Sequence, residues 1–201
     1  MEPDALLDLL RRCQLEGVQY ILVGGQAVRL NGFVWATEYI DILLPSSIDN
    51  GRRVIRALSF LSSSQKLEPE WFAVTAEEPE NIRVADELLI DLLFAANGQT
   101  YESLLAHMRL VMVEDVEIRT LDIEGLLKTK TDYRDKDRLD REVLQRLQAQ
   151  LQRSAGQDLA RDHPSTLRPF DRLRTGQARL RQAQPKRSFV ERTRLSKCHS
   201  L

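Results

Sequence analysis

Residues 20–44, YILVGGQAVRLNGFVWATEYIDILL, constrain the fold more than any other stretch of this chain. Residues 18–23 and 40–44 are apolar runs of strand length, too short to be helices that cross a core. Gly24-Gly25 ends the first run and Pro45 closes the second, and both residue types interrupt regular structure. Between the runs, residues 26–31 leave room for one short helix, which Gly32 stops. Strand, turn, helix and strand at this spacing demand a sheet with helices laid on it.

The same alternation continues along the chain. Residues 4–16 set Leu6, Leu9, Leu10 and Cys13 on one helical face, and Gly17 follows as a stop. A helix capped by Asp49, or by a serine just before it, carries Val54, Ile55, Leu58 and Leu61. Residues 62–65 (SSSQ) read as a loop, and residues 72–75 and 82–85 as short strands around a polar turn at 77–81. Residues 88–94 form the third strong apolar strand, interrupted by Asp91. Residues 101–109 read as helix, 111–118 as extended, and 123–130 and 136–151 as helix again. The predicted fold class is α/β in the α+β sense: a small mixed sheet with flanking helices.

Charge marks a boundary. Residues 1–151 hold 17 Lys+Arg against 26 Asp+Glu, whereas residues 152–201 hold 12 against 4. Residues 1–151 are therefore read as the domain and 152–201 as a basic, disordered tail without apolar period. Strings such as FDRLRTG and LRQAQPKRSFVER resemble the translated product of bacterial intergenic repeat DNA, which makes the tail a read-through extension. The rival reading is a basic arm for nucleic acid, but the tail lacks the aromatic interleaving such an arm uses. Cys13 and Cys198 have no metal-ligand spacing and suit a reducing cytoplasm, and His107, His163 and His199 cluster with nothing. The first residues, MEPDALLDLL, have no basic segment or cleavage site of a signal peptide, and no apolar run reaches the ~20 residues of a membrane span.

Strand geometry selects the chemistry-bearing residues. Side chains two apart share a face, so positions 39 and 41 point together while Ile40, Ile42 and Leu44 point to the core. In the third strand Ile90, Leu92 and Phe94 face the core, and Asp91 lies on the other side with Leu89 and Leu93. A lone acid in an apolar strand is costly unless paired or ligating metal. Two of them, on strands that lie side by side, would converge. Glu38 is on the face opposite Asp41. Gly24-Gly25, without Cβ atoms, lets the backbone come close to an anion at the start of a helix.

Gly-Gly at a strand end, followed by an acidic strand, resembles the start of the minimal nucleotidyltransferase domain, where that strand carries Asp-x-Asp. Here the second aspartate is Asp41, and Tyr39 stands in the place of the first. Residues 126–140, LLKTKTDYRDKDRLD, resemble the downstream segment of AbiE-type nucleotidyltransferase toxins. The likeness covers roughly residues 5–150. It implies a nucleotidyltransferase-like fold, and transfer of NMP from an NTP to a hydroxyl on RNA, protein or a small molecule with Mg²⁺. It implies metal at Asp41 and Asp91, with Asp137 as a base. Nucleotide would meet Gly24, Gly25, Thr37, Lys130 (or Lys128) and Arg134, with Lys136 and Asp140 completing a polar cluster. A neutral phenol is a poor Mg²⁺ ligand, so Tyr39 implies impaired transfer. The rivals are a pseudoenzyme or toxin–antitoxin partner that acts by binding, and a solvated helix at 126–140 held by i,i+4 charge pairs.

Overall fold

The computed structural model describes residues 3–32, 37–75, 80–131, 135–158 and 188–194. Helix α1 (Pro3–Leu15) buries Leu6, Leu9, Leu10 and Cys13, the face its periodicity predicts. Gly17, at φ +65°, ends it: its N–H reaches the Gln14 carbonyl and that of Val18 the Cys13 carbonyl. That pairing satisfies carbonyls the last helical turn leaves without partners. Burial pushes the Cys13 thiol up to about 12, so it is a packing group and not a nucleophile.

Strand β1 (Ile21–Val23) runs directly into α2 (Gly24–Leu30), and β2 (Tyr39–Leu43) returns antiparallel to β1. Helix α3 (Ile48–Ala57) is capped by Ser47, which accepts from the Asn50 N–H. The buried Asn50 amide in turn grips both backbone groups of Gln19, at 2.8 and 2.9 Å, and so ties α3 to the start of β1. Strands β3 (Glu80–Ala85) and β4 (Leu89–Leu93) form an antiparallel hairpin, and β4 lies parallel to β2. The short α4 (Tyr101–Leu104) leads to β5 (Met108–Val113), which hairpins with β6 (Val116–Leu121). Then come α5 (Ile123–Lys128), α6 (Asp135–Asp158) and β7 (Phe189–Arg194). The sheet order is β5-β6-β1-β2-β4-β3-β7, with β1–β6 and β2–β4 the parallel pairs.

Both faces of this sheet are covered. One core joins Ile40, Ile42, Leu44, Ile90, Leu92 and Phe94 to α1 and α3. The other joins Ile21, Val23 and Leu43 to Ala27, Val28, Leu126 and Leu144, from α2, α5 and α6. The predicted mixed α+β layer and its inward-facing strand residues are therefore present. Among the described residues no helix is long and apolar enough to cross a membrane.

Several local expectations fail, among them the helix read over 101–109, whose last two residues already belong to β5. Residues 72–75 are not a strand: Pro69–Phe72 is a 3-10 turn opened by proline, and Phe72 plugs the core edge-on to Phe94 at 6.0 Å. Ser62–Lys66, read as a loop, is likewise a 3-10 turn. Residues 111–118 are not one extended segment but the β5–β6 hairpin, turning at Glu114 (φ +54°) and Asp115. Neither residue is a glycine; the turn is held instead from α1, where Arg11 meets Asp115 at 2.7 Å. Last, the tail expectation is corrected at residues 189–194. These form β7, paired along all of β3, with Ser188 donating to Asp86 just before it. Asp86 also accepts from Ser62 and the Ser63 N–H. Its desolvation is outweighed by these bonds, which hold the carboxyl down at about 2. Arg192 is engaged with Glu80 rather than presented as a basic arm. Residues 159–187 and 195–201, with Cys198, His163 and His199, lie outside the described residues.

A chain ended after Asp158 loses β7 and bares the edge of β3. Its thermal midpoint should fall by several degrees, at about 2–4 °C per kcal/mol lost for a chain of this size. A dispensable tail predicts no change, and differential scanning calorimetry separates the two.

Candidate functional site

Register builds the site. Val23 pairs with Asp41, Asp41 with Asp91, Asp91 with Arg83, and Arg83 with Glu191. Paired residues on neighbouring strands share a face, so this is one row across five strands. It lies on the α2/α5/α6 side, because Ile40, Ile42, Ile90 and Leu92 occupy the other. Asp41 and Asp91 are thus brought together as the alternation predicts. Gly24 closes over Asp41: it adopts φ +64°, and a Cβ built on it would fall 2.0 Å from Asp41 Oδ2. Gly25 follows as the second residue of α2. Both the backbone conformation and the approach of the carboxylate require glycine at position 24.

Arg83 is the residue that sequence reasoning missed. Its Nε and Nη2 donate to the two oxygens of Asp91 at 2.7 and 2.9 Å, a bidentate fork. The Asp91 side chain is 16% exposed and that of Arg83 44%, so the carboxylate is shielded while the guanidinium reaches solvent. The Arg83 guanidinium also sits 5.3 Å from the centre of the Tyr39 ring. Its hydrogen bond to Asp91 holds the guanidinium above its ordinary value, against an opposing desolvation. A signal existed: residues 83 and 91 are equidistant from Glu87, where a hairpin would turn.

Tyr39 opens β2 half-exposed, and the Thr37 hydroxyl accepts its N–H at 3.2 Å. Thr37 therefore shapes the start of this strand. Glu38 is exposed just before it. A divalent cation such as Mg²⁺ needs several hard, anionic oxygens, and this arrangement supplies fewer than a full carboxylate set. Asp91 has both oxygens in a guanidinium fork, and position 39 offers a phenol. Among the described residues, no group of three or more His, Cys, Asp or Glu is placed to hold a metal. The donor set as built does not fit the ion that the sequence resemblance implies.

The downstream segment is organised around a buried ion pair. Lys130 Nζ meets Asp140 Oδ2 at 2.5 Å, with the two side chains 11% and 2% exposed. Leu144, one helical turn beyond Asp140, lies in the core with Val23 and Leu43, which places this pair on the same side of the sheet as Asp41. Asp137 Oδ2 accepts from the Thr131 N–H and hydroxyl, at 3.2 and 2.5 Å, and so fastens the start of α6 to the end of the preceding segment. Arg141 and Asn97 both donate to the Lys130 carbonyl. Lys128 turns to His107, 2.6 Å away. Arg134 lies outside the described residues, as does the Lys136 side chain.

Two substitutions probe this construction. Gly24→Ala should cost about 2–4 kcal/mol in urea unfolding, from left-handed backbone strain plus overpacking against Asp41. Asp140→Ala leaves Lys130 buried without its counter-ion and should cost about 3–5 kcal/mol, while an apolar pair at both positions should recover most of it.

No protein-family model matches this chain, and no curated protein matches it. Among solved structures it is similar to a Thermotoga maritima protein provisionally assigned as a nucleotidyltransferase. The two are 19% identical, the match covers 76% of this chain and 96% of that one, and the TM-score is 0.45.

Proposed function

We propose that this chain is a nucleotidyltransferase-like protein, impaired in transferring NMP from an NTP to a hydroxyl of RNA, protein or a small molecule. The observation that supports it is the pairing of Asp41 with Asp91 on adjacent parallel strands, under a glycine that only a close-approach turn requires. Gly24 and Gly25 are the proposed phosphate contacts and Thr37 shapes the nearby strand start. Asp41 and Asp91 are the remaining members of a carboxylate set that position 39 no longer completes. In this reading Lys130 and Arg134 face the triphosphate and Asp137 serves as base. Lys130 and Asp137 would have to leave their present partners, Asp140 and Thr131, to do so.

A second reading is favoured by the Arg83–Asp91 fork: a catalytically inactive pseudoenzyme or toxin–antitoxin partner that binds a protein or nucleotide without turnover. Both readings are tested by restoring the site. Tyr39→Asp supplies the carboxylate, but Arg83 still grips Asp91, so the restoring change is Tyr39→Asp combined with Arg83→Leu. Labelled-NTP incorporation into bacterial RNA and protein should rise at least about tenfold over the native chain, worth roughly 1.4 kcal/mol of barrier. Adding Asp41→Ala should abolish the gain. A native chain as active as the double variant removes the case for impairment. Failure of every form to bind or use NTP removes the nucleotidyltransferase reading itself.

A further inference from the structure

We infer that Arg83 is the resident counter-ion of Asp91, and that this chain keeps divalent metal off that carboxylate by carrying the counter-charge on its own sheet. The inference rests on the reading above only for why a metal is expected here.

Two carboxylates at directly paired positions repel each other, and such a pair persists when a cation lies between or beside them. Here the cation is covalently supplied. Arg83 is paired with Asp91 in register on one side and with Glu191 on the other, so it is flanked by carboxylates across the sheet. Its fork uses both Asp91 oxygens, and the Tyr39 ring faces its charge at the position where an aspartate would otherwise stand. An aspartate at 39 would be a metal ligand; a tyrosine there is a cation–π partner for a guanidinium. The substitution and the arginine therefore serve one arrangement. Arg83 is also held in place from behind, because β3 lies between β4 and β7 and both ladders run through this residue. A hydrated metal ion would have to break two charge-assisted bonds and then sit beside the displaced guanidinium.

The test uses Mn²⁺ alone, without nucleotide, on the full-length protein. In the native chain, Asp91→Asn should leave Mn²⁺ affinity, measured by electron paramagnetic resonance, unchanged, because Asp91 does not ligate the ion. Arg83→Leu should tighten Mn²⁺ binding, measured by electron paramagnetic resonance, by about tenfold or more. Arg83→Leu with Asp91→Asn should return it to the native level. A loss of about tenfold in Mn²⁺ affinity on Asp91→Asn in the native chain overturns the inference, as does a folded Arg83→Leu chain with no gain. If Arg83→Leu does not fold, the Asp91→Asn comparison in the native chain decides alone. Because no nucleotide is present, these outcomes are separate from whether the protein binds or transfers NMP.

Discussion

The register of β2 against β4 is the constraint on which the rest depends. Those five paired positions put Ile40, Ile42, Ile90 and Leu92 into one core and leave Asp41 beside Asp91 on the opposite face. A slip of one residue in β2 would exchange its faces, driving Asp41 under α1 and α3 and taking Ile40 and Ile42 out of that core. Neither outcome is tolerable, so hydrophobic burial on one face fixes polar geometry on the other. Leu44 extends this control past the strand, since its N–H reaches the Leu93 carbonyl at 2.8 Å. The carboxylate pair is positioned by core packing and needs no dedicated scaffold.

The local electrostatics then follow from what the next strand supplies. Beyond Asp91 comes Arg83, and beyond Arg83 comes Glu191, so charge alternates across the outer half of the sheet. Tyr39, exposed at the start of β2, is near enough to cover the guanidinium. The Lys130–Asp140 pair is a separate, more deeply buried neutralisation on the same side of the sheet. The two pairs join residues eight and ten positions apart, the first across the β3–β4 hairpin and the second from the end of one segment into α6.

What the sequence disclosed follows the same logic. Asp41, Asp91 and Gly24 were legible because period-two alternation and a Gly-Gly break are local signals that survive without knowledge of neighbours. Arg83 was not, since an arginine in a short strand is ordinary until its hairpin partner is known. The sequence resemblance sends Lys130 to a triphosphate and Asp140 to a separate polar cluster; that they bury each other depends on Leu144 anchoring α6 to the sheet, which no local pattern states. The Glu114-Asp115 turn lacks glycine and is held by Arg11, a residue more than a hundred positions away. β7 escaped because an edge strand buries little: Val190 is its core contribution, Phe189 is exposed, and residues 191–194 read as a charged, polar string.

That last strand has a consequence for how the molecule is made. Phe189 pairs with Ala85 and Arg194 with Glu80, separations of more than a hundred residues. Synthesis runs at roughly 5–20 residues per second, so the outer edge of β3 is complete about 5–20 s before its cover emerges from the ribosome. During that interval an unpaired strand bearing Ile82 and Val84 is a template for any extended segment nearby, including β7 from a neighbouring copy. The order of synthesis makes this edge the point at which the nascent protein is most open to mispairing and strand exchange.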